Sequence, residues 1–230
     1  MLKLLILLFA FGISNVALSQ SAEDYYNQGK IKFESKDYKG AISDCNKAIE
    51  LNPKYADAYR GRGAVKEELG DYKGAVTDYT KAIELNPQDA KAYNNRGYAK
   101  CNFKDYKGAL KDFDKAIEIN PQFTDAYYNR GFAKGNLEDY KEAITDYTKA
   151  IEIDPQYAYP YCSRGVAKGN LQDYKGAITD YTKAIEIDPQ FAYAYCSRGI
   201  AKGKLEDDKG AITDFTKAIE INPQYTGAYY

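Results

Sequence analysis

Apolar and small residues recur along the chain at spacings of three and four, and this pattern itself returns every 34 residues. In the fourth copy, such residues mark one helix face from Ala126 to Leu137 and a second from Tyr140 to Ile153. Pro155 ends the second stretch, because the residue before a proline resists the helical conformation. Each copy therefore predicts a pair of α helices joined by a short turn.

The 34-residue period divides nearly the whole chain. A fixed period in this range is typical of stacked repeats, in which each unit buries its apolar face against its neighbours. We assign residues 1–19 to a signal segment and residues 20–230 to a single solenoid of repeats. The repeats are 22–55, 56–89, 90–123, 124–157, 158–191 and 192–225, with a partial seventh at 226–230.

The start of each second helix carries an aspartate that is suited to capping free backbone N–H groups. In the fourth repeat Asp139 is followed three residues later by Glu142, which predicts a reciprocal capping box. The other repeats have glycine in place of Glu142, and glycine costs about 0.5–1 kcal/mol inside a helix relative to alanine. We therefore expect the other helix starts to be softer; their glycines are Gly40, Gly74, Gly108, Gly176 and Gly210.

The repeat resembles the tetratricopeptide repeat (TPR). The fourth copy carries this resemblance in Ala126 to Gly131, Asp139, Tyr140, Ala143, Tyr147, Ala150 and Pro155. The resemblance covers 22–225 and implies an all-α fold, a right-handed superhelical solenoid of antiparallel helix pairs. It further implies that the first helices line a concave groove and that the second helices form the outer wall.

The chain departs from the family pattern in a regular way. Arg130 stands where the family usually has leucine, and Lys134 and Asp146 stand where it often has aromatic residues. Arginine and lysine four residues apart share one helix face. We expect a ladder in which these cations pair with the aspartate of the partner helix; the alternative is a set of solvated side chains. The equivalents of Asp146 are Asp44, Asp78, Asp112, Asp180 and Asp214.

The concave surface of a repeat stack is its usual binding face. The resemblance places one line of first-helix residues there, charged in repeats one to three and apolar or aromatic in repeats four to six. Gly135, Gly169 and Gly203 leave room in the second half, and Cys162 and Cys196 belong to the same line. The expected contact residues are Tyr26, Arg60, Lys91, Asn94, Tyr98, Tyr128, Phe132, Asn136, Tyr159, Val166, Tyr193 and Ile200.

The N-terminus has the features of a secretory signal peptide. Lys3 precedes an apolar run from Leu4 to Ile13, and Ala17 to Ser19 provides small residues for cleavage near Ser19. An uncleaved membrane anchor is the alternative, but the run is shorter than the roughly 20 residues that a membrane span needs. We expect a secreted or periplasmic chain with no membrane insertion after cleavage.

The composition of the chain excludes several kinds of function and site. The 32 basic and 33 acidic residues give a net charge of −1, which argues against a nucleic-acid binder. Histidine is absent, so histidine-based catalysis and histidine metal sites are excluded. The four cysteines form no C-x-x-C motif, and we expect no disulfide between Cys162 and Cys196. We expect Cys45 to be a buried filler and Cys101 to be free as well. We expect no metal, no cofactor and no catalytic activity.

These observations favour an exported scaffold that binds a peptide or a segment of a partner protein in its groove. The alternative for the tyrosines is that they only cover helix packing. Two other functions stay open: self-assembly by stacking of copies through an open end, giving a homo-oligomer, and a fragment of a larger protein with a downstream domain. A solution mass that rises with concentration favours stacking.

Overall fold

The computed structural model describes residues 20–224, which form twelve α helices. The signal segment at 1–19 and the partial repeat at 226–230 lie outside the described residues. The first helices of the six repeats are α1 (Ala22–Glu34), α3 (Ala56–Glu68), α5 (Ala90–Asn102), α7 (Thr124–Asn136), α9 (Ala158–Asn170) and α11 (Ala192–Gly203). The second helices are α2 (Tyr38–Leu51), α4 (Tyr72–Leu85), α6 (Tyr106–Ile119), α8 (Tyr140–Ile153), α10 (Tyr174–Ile187) and α12 (Asp208–Ile221).

The helices pack as antiparallel pairs in chain order, and each pair stacks on the next. First helices of successive repeats contact one another, whereas each second helix packs between its own first helix and the first helix that follows. The first helices are therefore closer together and form the inner, concave side. This confirms the predicted fold class, a superhelical solenoid of antiparallel helix pairs.

Within a pair, a glycine of the first helix receives an aromatic ring of the second. A Cβ at Gly63 would lie 2.7 Å from the Tyr79 ring, and a Cβ at Gly131 would lie 2.7 Å from the Tyr147 ring. No larger residue fits at such a distance, so glycine sets the close approach of the two helices. Cys45 takes the place of the ring in the first repeat.

The predicted capping box of the fourth repeat is wrong. Asp139 makes no side-chain hydrogen bond to the start of α8, and Glu142 lies near Lys134, with Oε2 3.9 Å from Nζ. In the second repeat the N–H of Gly74 donates to Asp71 Oδ1 at 2.9 Å. A Cβ at Gly74 would lie 2.1 Å from Asp71 Oδ2, so the glycine makes room for the cap and a larger residue displaces it.

The ladder of charges is confirmed. In the second repeat, Arg62 donates to both oxygens of Asp78, from Nε at 2.9 Å and from Nη2 at 2.6 Å. Lys66 Nζ lies 2.7 Å from the same carboxylate, whose side chain is 3% exposed. Repeats three to six repeat this cluster, centred on Asp112, Asp146, Asp180 and Asp214.

The first repeat carries only half of this cluster. Gln28 replaces the arginine, and Lys32 Nζ alone pairs with Asp44 at 2.7 Å. The Lys32 side chain is 38% exposed, about twice the exposure of the equivalent lysine of the third repeat, Lys100, at 19%. Two isolated charges in contact with solvent attract each other weakly, so this pair contributes less to stability than the full clusters.

The four cysteines are buried, and none of them forms a disulfide in the described structure. Burial raises the pKa of the Cys45 thiol to about 11 and that of Cys162 to about 12, which keeps both in the thiol form at neutral pH. The expectation that Cys162 and Cys196 face the groove is wrong, since they are 1% and 2% exposed. Their short side chains end between the helices, whereas the longer side chains of the same line extend to the groove surface.

Candidate functional site

The inner surface formed by the first helices, called the groove from here on, carries the residues expected to bind a ligand. Most of them reach its surface, but Asn94 is 7% exposed and lies between helices. The exposed members are Lys91, Tyr98, Phe132, Asn136, Tyr159, Tyr193 and Ile200. The half-buried members are Tyr26, Arg60, Tyr128 and Val166.

Two adjoining pockets, the twin pockets, open in the C-terminal half of the groove. Their volumes are about 280 and 290 Å³, and they share Val166, Asn170 and Tyr193 as a common wall. Phe132 lines the first pocket and Ile200 lines the second. A surface of this kind, largely apolar with a few polar groups, is typical of binding sites.

Two glycines create the space in the twin pockets. A Cβ at Gly135 would lie 3.7 Å from Tyr147 Oη, and a Cβ at Gly169 would lie 4.0 Å from Tyr181 Oη. These are ordinary contact distances, so the helices do not require glycine at either place for packing. The missing side chains leave open space above the buried tyrosines, which line the pocket floors. This confirms the expectation that these glycines leave room.

A row of aromatic rings, called the ribbon, runs beside the twin pockets. Successive centroid distances are 5.5 Å from Tyr128 to Tyr157, 5.9 Å to Tyr159, 5.0 Å to Phe191 and 6.4 Å to Tyr193. Tyr159 is 53% exposed and Tyr193 is 44% exposed. The ribbon follows the starts of α9 and α11 and forms one edge of the groove.

Polar groups line the groove at fixed places. Asn136 Nδ2 donates to the carbonyl of Phe132, and Asn170 Nδ2 donates to that of Val166, each at 2.9 Å. These bonds hold both amides against their own helices. Ser163 lies in the first of the twin pockets and Ser197 in the second. The pockets thus offer hydroxyl and amide groups beside apolar walls.

The N-terminal half of the groove holds a separate pocket of about 170 Å³. It opens beside Cys45, where the small thiol replaces the ring found in later repeats. Arg60 also lines it, but its guanidinium pairs with Asp57 and lies 2.9 Å from Asp89 Oδ2. The charge of Arg60 is therefore largely neutralised by the chain's own carboxylates.

The middle of the groove is a polar network. Asn129 Nδ2 donates to Asn94 Oδ1 at 3.0 Å, which links α7 to α5. Nearby, the Tyr79 hydroxyl donates to Glu67 Oε2 at 3.1 Å. Burial raises the pKa of Glu67 to about 7, against the opposing effect of the Tyr79 hydrogen bond. The structure thus gives Asn94 a role in joining helices, and Glu67 titrates near neutral pH.

Sequence reasoning missed two members of the ribbon, Tyr157 and Phe191. Both precede a first helix and stand at its N-cap. A signal was present, because the last residue of a repeat is also aromatic at Tyr55 and Phe123. These positions were outside the helical pattern and so were not assigned to the groove.

Comparison with protein families agrees with this architecture. Models described as tetratricopeptide repeat match residues 90–123, 124–157 and 192–225. A model described as TPR repeat matches 29–70, 67–101 and 170–206. The chain belongs to the tetratricopeptide repeat family. Together the matched segments span most of the TPR solenoid.

Solved structures of TPR proteins are similar to this chain. YrrB, described as a TPR protein with an unusual peptide-binding site, is 26% identical, with a TM-score of 0.64 over 80% of this chain and 95% of YrrB. A structure of MamA is 26% identical, with a TM-score of 0.65 over 74% and 93%. PilW, a type IV pilus biogenesis factor, is 16% identical with a TM-score of 0.83 over 90% and 96%, and shows the fold alone. No curated protein matches the chain.

Family membership sets the general role. TPR repeat proteins are generally non-enzymatic modules for protein interaction, and no catalytic family is indicated. At this level the chain is a protein-interaction scaffold. None of the helices within residues 20–224 is long and apolar enough to cross a membrane. In the same residues, no group of acidic and cysteine side chains has the arrangement of a metal site.

Proposed function

We propose that this chain is an exported TPR scaffold that binds an extended peptide segment of a partner protein in the C-terminal half of its groove. The observation that carries the proposal is the pair of twin pockets beside the ribbon. Exposed aromatic and aliphatic side chains converge there from three successive repeats. Such clusters, desolvated on binding, supply most of the affinity of protein interfaces.

The shape of the site favours an extended ligand. The twin pockets lie in successive repeats and share a wall, so one chain can place neighbouring side chains in both. The rims carry the fixed amides of Asn136 and Asn170, which are suited to contact with a peptide backbone. YrrB, similar in fold and 26% identical, is itself described as having a peptide-binding site.

Export is supported by the first nineteen residues. Lys3, the apolar run that follows and the small residues before Gln20 together match a cleaved secretory signal. Cell fractionation and N-terminal sequencing of the mature protein test this part separately. We expect a periplasmic or secreted chain that begins near Gln20, and a chain that retains Met1 in the cytoplasm contradicts it.

Filling the twin pockets tests the binding site. Gly135→Leu and Gly169→Leu together place bulk in both pockets without a clash at Cβ, and Gly203→Leu makes the same change where no neighbour lies within 4 Å. Peptides are selected from a displayed random library on mature 20–230, and their affinities are measured by fluorescence anisotropy.

We expect the selected peptides to bind the filled variant at least about tenfold more weakly, since a lost hot spot removes about 2 kcal/mol or more. The Gly203→Leu control should bind as the wild type does. Circular dichroism checks that both variants keep their helix content. Equal binding by the filled variant would place the site elsewhere and overturn the proposal.

A further inference from the structure

The ribbon is bordered by carboxylates that have no basic partner. Asp154 and Asp188 occupy turns where the first three repeats have Asn52, Asn86 and Asn120. Asp125 stands in the first turn of α7. Asp125 and Asp154 are exposed and Asp188 is half-buried, and within residues 20–224 none of the three forms an ion pair.

Asp154 and Asp188 belong to the turns that carry two rings of the ribbon, and the charges of Asp125 and Asp154 act on Tyr157. The N–H of Tyr157 donates to the carbonyl of Asp154 at 3.3 Å, and the N–H of Phe191 donates to that of Asp188 at 3.1 Å. Burial raises the pKa of Tyr157, and the charges of Asp125 and Asp154 raise it further. Carboxylates without a basic partner therefore accompany the aromatic row along repeats four and five.

The ring geometry selects the kind of ligand. Interplanar angles along the exposed part of the ribbon are 62°, 54° and 34°, so the rings are tilted ridges and not one flat platform. Sugar rings stack best on flat faces, whereas slots between tilted rings suit the compact faces of proline. Tyr159 and Tyr193 are equivalent residues one repeat apart, joined through Phe191 by steps of 5.0 and 6.4 Å. A polyproline II helix repeats about every 9 Å, at three residues of 3.1 Å each, a length within the reach of these two successive steps.

Backbone chemistry points the same way. The groove is built from helices whose peptide groups are already bonded internally, so it offers no strand edge to an extended ligand. An ordinary extended chain would bring unpaired N–H groups into the pockets, at a cost in free energy. A proline-rich chain lacks most of these N–H groups and therefore brings few unpaired donors into the pockets.

We propose that the ligand of the groove is a basic, proline-rich segment in the polyproline II conformation, with prolines on the ribbon and lysine or arginine facing Asp125, Asp154 and Asp188. This inference rests on the proposed function and names its ligand class. Proline-rich segments bind aromatic-lined grooves in several other folds because their conformation is already extended before binding. The carboxylates without a basic partner supply the charge complementarity that favours a basic over an acidic or neutral segment.

Synthetic peptides test the proposal by fluorescence anisotropy with mature 20–230. The probe is a labelled peptide of four Pro-Pro-Arg units, and the comparison peptides contain Gly-Gly-Arg or Pro-Pro-Glu units. An N-acetylglucosamine hexamer serves as a glycan competitor. We expect Pro-Pro-Arg to bind at least about tenfold more tightly than either comparison peptide, with affinity falling as salt rises.

Two variants and one control assign the contacts. Tyr159→Ser with Tyr193→Ser removes the exposed rings, and the control Phe103→Ser removes an exposed ring in the turn after α5, outside the ribbon and the twin pockets. Asp154→Asn with Asp188→Asn removes charge but keeps the turn, because Asn52 Oδ1 accepts from the N–H of Lys54 at 3.0 Å just as Asp154 Oδ1 accepts from Gln156. We expect both pairs to weaken Pro-Pro-Arg binding about tenfold and the control to leave it unchanged.

The outcomes separate this inference from the proposed function. If library peptides bind in the twin pockets but lack proline and basic residues, the ligand class is wrong and the groove proposal stands. Displacement of the probe by the glycan hexamer, with direct hexamer binding lost in the tyrosine variant, also overturns the ligand class. If no peptide is sensitive to the filled pockets, both proposals fail.

Discussion

Asp146 is the centre of a buried charge cluster, and its replacement by alanine tests how the repeats are held together. Its side chain is 2% exposed and accepts hydrogen bonds from Arg130 Nε at 2.9 Å and Nη2 at 2.6 Å. Lys134 Nζ lies 2.9 Å from the same carboxylate. Asp146→Ala therefore leaves two cations facing an apolar site at the contact between α7 and α8.

The structure sets the size of the expected effect. Removing one partner of a buried ion pair costs about 3–5 kcal/mol, because the remaining charge is buried without compensation. Here the cations are 19% and 18% exposed, and Arg130 keeps a second acceptor, Asp114, at 2.7 Å. These features place the expected loss at the lower end, about 3 kcal/mol. That is a large part of the roughly 5–15 kcal/mol that stabilises a typical domain.

Two end repeats provide a matched comparison. Asp214 in the sixth repeat has the full cluster, with Arg198 and Lys202, whereas Asp44 in the first repeat pairs only with the half-exposed Lys32. We expect Asp214→Ala to cost about 2–3 kcal/mol and Asp44→Ala about 1 kcal/mol or less. Both aspartates lie in an end repeat, so fraying affects the two variants alike.

Urea unfolding followed by circular dichroism measures these free energies, with the slope of the transition as a check that the same surface is exposed. A loss below 1 kcal/mol for Asp146→Ala would refute the reasoning. So would equal losses for Asp214→Ala and Asp44→Ala, because the difference between a full and a half cluster would then have no energetic meaning.

Three further predictions use the same unfolding assay. Asp139→Ala should change the free energy of unfolding little in the native sequence. In a chain that also carries Glu142→Gly, which frees Asp139 to cap α8, the same change should cost about 1 kcal/mol. Equal costs in both backgrounds would contradict the role given to glycine. Gly131→Ala should destabilise the fold by about 1–3 kcal/mol, because the new Cβ meets the Tyr147 ring at 2.7 Å. Gly135→Ala, whose Cβ has 3.7 Å to the nearest atom, should stabilise the helix by about 0.5–1 kcal/mol. The opposite order would show that the Tyr147 ring moves aside to accept the Cβ. Glu67 has a pKa of about 7 in the folded chain, above its ordinary 4.5, so the free energy of unfolding should fall as pH rises from about 4.5 to 7. Glu67→Gln should reduce this dependence on pH. An unchanged dependence would assign it to other groups.

The sequence was sufficient for the fold because every signal occurs six times. One proline or one capping aspartate marks a helix boundary weakly, but the same residue at a constant 34-residue interval marks it firmly. The charge clusters were predictable for the same reason, since Arg130, Lys134 and Asp146 recur together with their spacing preserved. The helix faces then place them within reach of one another.

Features set by a few tenths of an ångström were not predictable. The capping box at Glu142 follows a valid sequence rule, yet the cap geometry of the other repeats leaves no room for a Cβ at that position, and in the fourth repeat Asp139 makes no cap bond. The small pocket beside Cys45 and the inclusion of Tyr157 in the ribbon depend on how neighbouring repeats approach each other. Periodicity within one repeat carries no information about that approach.

The distribution of variation between repeats supports a site in the groove over one on the outer wall. The second helices present the same ion pair in all six repeats, as between Lys81 and Glu84 at 2.9 Å. A partner that recognises this ion pair would meet it every 34 residues and could not select one register by it. The groove position of Phe132 is instead lysine, alanine, tyrosine, valine or isoleucine in the other repeats. This groove position differs in all six repeats in size or polarity, so a ligand lying in the groove can be held at one defined place along the solenoid.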